Sequence, residues 1–160
     1  MQTTPPPWTI RRDSADPFAV EDSMGFLVNR LARLFAAALQ ERLAPLDLSI
    51  GAFPVLLALW AEDGLSQRAI AQRLALDETT LVRTLDRMER DGLVHRARDT
   101  ADRRRIVVRL TDHGRALKEP SLAAAEAVNA AALDGLSPDT PDAVRDAIRR
   151  MVAALAGDTA

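Results

Sequence analysis

The sequence predicts a mainly α chain with a small β-wing, a winged helix-turn-helix core flanked by N- and C-terminal helices. Three observations carry that prediction. Between residues 65 and 111, two short helical periods are separated by only Ala75-Leu76-Asp77. After Asp91-Gly92 the apolar period changes from helical to two. The two alternating runs that follow are joined by a stretch carrying Asp102-Arg103-Arg104-Arg105, too long and too charged for a tight hairpin turn. Helix, short turn, helix and basic ribbon is the chain order of that fold.

In chain order, residues 1–19 are rich in Thr and Pro, hold no helical or strand period, and read as a mobile arm on which Trp8 is either docked or exposed. No apolar signal region follows Arg11-Arg12 and no apolar run has the length of a membrane span, so a cytoplasmic protein without a membrane partner is expected. From Val20 to Leu43, Phe26-Leu27, Leu31, Leu34-Phe35, Ala38-Leu39 and Leu43 recur at three and four, giving an amphipathic helix with a wide stripe. From Ser49 to Ala61, Phe53, Leu56-Leu57 and Trp60 give a core helix, with Pro54 tolerable only if the helix starts late.

Ser66 caps a helix that runs to about Leu74 with Ile70 and Leu74 inward. Asp77 caps the next, Glu78 suits the positive end of its dipole, and Gly92 ends it in the left-handed conformation. At about 100° per residue Leu81, Leu85 and Met88 share a core face, while Thr79, Thr80, Arg83, Arg87 and Arg90 share the opposite one. Two readings fit that polar face. Planar guanidinium forks and short hydroxyls suit base edges in the DNA major groove, and a solvated face laced by pairs such as Arg83 with Asp86 has the same composition. The neighbouring helix-turn spacing and basic wing favour the first.

Val94, Arg96 and Arg98 then alternate with His95 and Ala97, and Ile106, Val108 and Leu110 with Val107 and Arg109, as two strands. The connection between them suits an arm meeting phosphates or the minor groove. A helix opened by Thr111-Asp112 follows, with a kink or break at Pro120, and a last helix opens at Ser137-Pro138 or Thr140-Pro141. First and last helices with surplus apolar surface on either side of a compact winged core point to an intertwined homodimer, with packing inside one chain as the alternative.

Asp102-x-Arg104-x-x-x-Val108-x-Leu110-Thr111 resembles the wing signature of the MarR family (multiple antibiotic resistance regulators), and Asp86 to Val94 resembles the family's recognition-helix exit. The resemblance covers roughly residues 26–155. It implies a MarR-like domain over residues 20–160, with a DNA-binding lobe at 49–111 and a helical dimerisation lobe at 20–48 and 112–160. It further implies a dimeric transcriptional regulator, in most cases a repressor, on double-stranded DNA with a pseudo-palindromic operator. Arg104 would enter the minor groove, oriented by Asp102 and flanked by Arg103 and Arg105, while Thr79, Thr80, Arg83 and Arg87 read the major groove. Small aromatic acids or phenols are common effectors of the family, which makes Asn29, Arg33, Phe53 and Trp60 the candidate pocket.

Composition bounds the alternatives. With no cysteine, disulfides and thiol redox sensing are excluded. Net charge is −2, yet residues 83–109 hold nine arginines against five acids, so basic charge gathers where DNA would lie. An enzyme has little support: His95 and His113 are the only histidines, and no phosphate loop or short-spaced metal-ligand cluster appears. No catalytic site, cofactor or metal is expected. A winged domain that binds only protein has no need of the arginines on helix and wing.

Overall fold

The structure, a computed structural model, describes residues 9–10, 18–99, 102–137 and 139–157. Its elements are β1 (Thr9–Ile10), β2 (Phe18–Ala19), α1 (Met24–Leu43), a 3-10 turn (Ala44–Leu46), α2 (Phe53–Ala61), α3 (Gln67–Leu74), α4 (Glu78–Arg90), β3 (Val94–Arg98), β4 (Ile106–Leu110), α5 (Asp112–Ala116), α6 (Lys118–Leu133) and α7 (Thr140–Ala156). The chain divides into two compact units, residues 1–125 and 126–160. The C-terminal end of α1 belongs to the first unit's core. Leu43 is fully buried there, and the Gln40 amide donates to Leu48 O at 3.1 Å and accepts from the Ile50 N–H at 2.8 Å, fastening the following loop to α1.

The helix-turn-helix forms as its local signals require. Ser66 Oγ accepts from the Ala69 N–H and Asp77 from the Thr80 N–H, each satisfying an otherwise free first-turn donor. Ala75 takes a left-handed φ of 50°, which closes the turn between α3 and α4. Gly92, at φ 69°, ends α4. Ile70, Leu81, Leu85 and Met88 are buried against Val55, Leu56 and Leu59 of α2 in one core. β3 and β4 pair antiparallel with Arg96 opposite Val108. Leu65 adds an isolated bridge to Val108, which the two-strand reading did not include.

Three sequence expectations need correction. The first helix starts at Met24 rather than Val20, and the arm read as having no strand period holds one short antiparallel pair, Thr9–Ile10 with Phe18–Ala19. Trp8 lies outside the described residues. Second, α2 starts at Phe53, late enough to place Pro54 in its first turn, and Leu57 is exposed while Val55, Leu56 and Leu59 are buried. Every position of that helix from Val55 to Ala61 is apolar, so periodicity alone does not select its buried face. Third, the break attributed to Pro120 falls at Leu117, between α5 and α6. Proline lacks an N–H and clashes with the carbonyl four residues back, so a break there puts Pro120 in the first turn of a new helix, where no N–H is needed. Of the two starts weighed for the last helix, the one at Thr140-Pro141 is realised.

Within the first unit α1 bares most of its stripe: Met24, Leu27, Val28, Leu31 and Leu34 are 45–58% exposed. In the second, Val144, Ile148, Val152 and Leu155 of α7 are exposed, and no residue of α7 is buried.

Candidate nucleic-acid interface

α4 presents two chemically opposite faces. Leu81, Leu85 and Met88 are buried, whereas Thr79, Thr80, Arg83, Arg87 and Arg90 are all exposed. Arg83 and Arg87 form no hydrogen bond or ion pair among the described residues. The pair with Asp86 that a solvated face would use is not made, because Asp86 is engaged by Arg96 instead. The cap is firmly ionised: hydrogen bonds from the Thr80 hydroxyl and then the Thr80 N–H lower the Asp77 pKa below its usual value of 3.8. A cavity of about 120 Å³ beside this face is lined by Ser49, Gly51, Ala52, Arg83, Thr84, Arg87 and Met88.

The wing sets out its basic residues by a local carboxylate. Asp102 Oδ1 accepts from the Arg104 N–H at 3.0 Å and from Arg104 Nε at 3.2 Å. These bonds, the backbone one first, depress the Asp102 pKa. The Arg104 side chain is 93% exposed, so Asp102 holds its base and leaves its fork in solvent. Arg103 is exposed, its carbonyl accepting from Arg98 Nη1, and Arg105 lies 4.0 Å from Asp99. Thus Asp102 and the three arginines are brought together on one ribbon tip.

Two further groups join wing to helices, and neither is visible as a local motif. Asp63 Oδ1 accepts from the Leu110 N–H at 2.9 Å and Oδ2 pairs with Arg115 at 2.8 Å, which pins the inner end of β4 to the loop after α2. Arg96 reaches from β3 to Asp86 and Glu89 of α4 and to Gln67 of α3. Their separations of 7, 10 and 29 residues match no helical or strand spacing. Only the return of β3 along α4 brings them together. At the base of the wing the Thr111 hydroxyl donates to Gly92 O at 2.6 Å and accepts from the Gly114 N–H at 3.0 Å. Gly114 is required by closeness, since a Cβ there would stand 2.1 Å from Leu93 O.

The ligand-pocket candidates are brought together only in part. Phe53 and Trp60 meet edge to face with centroids 6.3 Å apart, and Trp60 Nε1 donates to Gly114 O at 2.9 Å. Asn29 and Arg33 lie exposed on α1 and form no hydrogen bond or ion pair among the described residues. Among the described residues, no group of three or more His, Asp or Glu side chains is placed to hold a metal ion, and no helix is long and apolar enough to cross a membrane.

The model of the MarR family matches residues 48–106, the span from the loop before α2 to the start of β4. The organic hydroperoxide resistance transcriptional regulator of Bacillus subtilis is 31% identical over 107 residues, 67% of this chain and 73% of that relative. The chain belongs to the MarR family. A second MarR-type relative, the HTH-type transcriptional regulator TtmR of Methylorubrum extorquens, is 43% identical over 103 residues, 64% of this chain and 53% of TtmR, so the match spans about half of TtmR's length. The fold is likewise that of solved MarR proteins. CouR of Rhodococcus jostii, bound to p-coumaroyl-CoA, superposes with a TM-score of 0.76 at 29% identity over 89% of this chain and 97% of CouR. The winged helix-turn-helix read from the sequence is therefore the family's fold, and the relatives compared are transcriptional regulators.

Proposed function

We propose that this MarR-family chain is a transcriptional repressor that binds a pseudo-palindromic operator as a homodimer and is released by a small aromatic or phenolic ligand. The observation that carries the reading is the pair Arg83 and Arg87, exposed on the outer face of a capped, well-packed helix and without an ion-pair partner among the described residues. In it, Thr79, Thr80, Arg83 and Arg87 read base edges. A well-formed bidentate arginine contributes about 1–3 kcal/mol of discrimination. Arg103, Arg104 and Arg105 grip backbone and minor groove, with Asp102 orienting Arg104, and this contribution weakens with salt. Residues 49–111 serve as the DNA-binding lobe.

The helices of residues 20–48 and 112–160 serve as the dimerisation lobe, a role supported by the bare apolar residues of α1 and α7. A two-fold dimer sets its recognition helices about 34 Å apart, one turn of B-DNA. The ligand reading is supported by CouR's aromatic thioester and places Phe53, Trp60, Asn29 and Arg33 around the effector. A coupling of about 1–3 kcal/mol releases an operator roughly 5- to 150-fold. Peroxide sensing of the kind the Bacillus relative's name suggests is not part of the reading when it depends on a thiol, because the sequence has no cysteine. Such a regulator works in the cytoplasm, on the chromosome.

The test is an anisotropy titration of the purified protein against DNA flanking its own gene, with competitor DNA, at two salt concentrations. Specific binding that weakens steeply with salt is expected. Binding indifferent to sequence for that DNA and for fragments selected from the whole genome would overturn the proposal.

A further inference from the structure

Arg96 uses every nitrogen of its guanidinium on a different partner. Nε donates to Gln67 Oε1 at 2.9 Å, Nη1 to Glu89 Oε2 at 2.5 Å and Nη2 to Asp86 Oδ1 at 2.6 Å, while its backbone N–H donates to Glu89 Oε1 at 2.9 Å. Burial opposes its charge, but the bonds to Asp86 and Glu89 outweigh that and raise its pKa. The Arg96 N–H first, and then its guanidinium, lower the pKa of Glu89. Both acids are therefore engaged by Arg96.

Asp86 matters most, because it lies three residues after Arg83 and four before Arg90 on the same helix, the spacings at which carboxylates and guanidiniums pair. With Asp86 turned to Arg96, Arg83 has no ion pair among the described residues, and Arg90 reaches only the Asp86 backbone carbonyl, at 3.4 Å. We infer that Arg96 is a positioning residue for DNA recognition: it sequesters Asp86 and thereby keeps the reading arginine Arg83 unpaired and the face of α4 free of uncompensated negative charge. The inference rests on the proposal that Arg83 reads DNA. It differs from a strut that merely ties the wing to α4, because its effect passes through the carboxylate of Asp86 and disappears with it.

Five proteins separate these readings on the best-bound DNA fragment at one salt concentration: wild type, Arg83→Ala, Arg96→Met, Asp86→Asn, and Arg96→Met with Asp86→Asn. Arg83→Ala tests the underlying reading, which fails if specific affinity is unchanged. Given its expected loss, Arg96→Met is expected to weaken binding about tenfold, from a competing helix pair and two uncompensated acids near phosphate. Adding Asp86→Asn to it is expected to restore most of that loss, although no wing contact is restored. Asp86→Asn alone is expected to bind at least as tightly as wild type, and since it keeps the Arg96 contacts to Glu89 and Gln67 it tests the inference even if Arg96→Met misfolds by circular dichroism. Weakened binding by Asp86→Asn, or equal weakening by Arg96→Met with and without Asp86→Asn, would overturn it and make the contact a strut.

Discussion

α1 and α4 are both amphipathic, and they differ in which face the protomer leaves open. α4 buries Leu81, Leu85 and Met88 within its own unit and exposes arginines and threonines. α1 buries only Leu43, at its end, and exposes Met24, Leu27, Val28, Leu31 and Leu34. An open face of unpaired cations suits a polyanion, and an open apolar stripe suits another apolar surface. The same pattern of periodic leucines thus completes a core in one helix and leaves an open apolar stripe in the other.

The comparison breaks most visibly at its buried side. Leu85→Ala empties a fully buried site shared by α2, α3 and α4, and should cost about 2–5 kcal/mol, read as a fall in the urea midpoint. Leu31→Ala, at 46% exposure, should cost the isolated protomer far less. Leu31→Glu sharpens the contrast: it should shift the protein from two chains to one in light scattering while the near-ultraviolet signal of Trp60 persists. A dimer that survives this change would remove α1 from the interface.

Arg83→Ala should then cost about 1–3 kcal/mol of discrimination between an operator and the same DNA altered at the base it contacts, with little change in stability. The smallest effect concerns pH. Glu89 has its pKa lowered in the folded chain, chiefly by the Arg96 N–H, from a usual 4.5. Its stabilisation is therefore complete above about pH 4.5 and is lost as pH falls through the lower folded value. Denaturation midpoints of Glu89→Gln should be lower than wild type at pH 7 and approach it in acid.

The parts of this architecture legible in the sequence are those written locally. Ser66 and Asp77 announce the two helix starts, Gly92 ends the second, and the change of period announces the wing. Asp102 as the partner of Arg104 came from the resemblance to the MarR wing signature, and the two lie two residues apart on one loop. What was not legible depends on how elements meet. Leu57 resembles its buried neighbours until the packing of α2 is known. The engagement of Asp86 by Arg96 rather than by Arg83 follows only once β3 lies along α4. Asp63, set in a loop after α2, gains its role from β4 arriving 47 residues later.

The most direct test of the contrast between the two helices is the mass of the protein–DNA complex, measured by light scattering on a duplex carrying one complete operator, for wild type and Leu31→Glu. Two chains per duplex are expected for wild type, with Leu31→Glu monomeric in solution and much weaker on the same DNA. A single chain binding the duplex with undiminished affinity would contradict the assignment of α1 to a second copy and α4 to DNA.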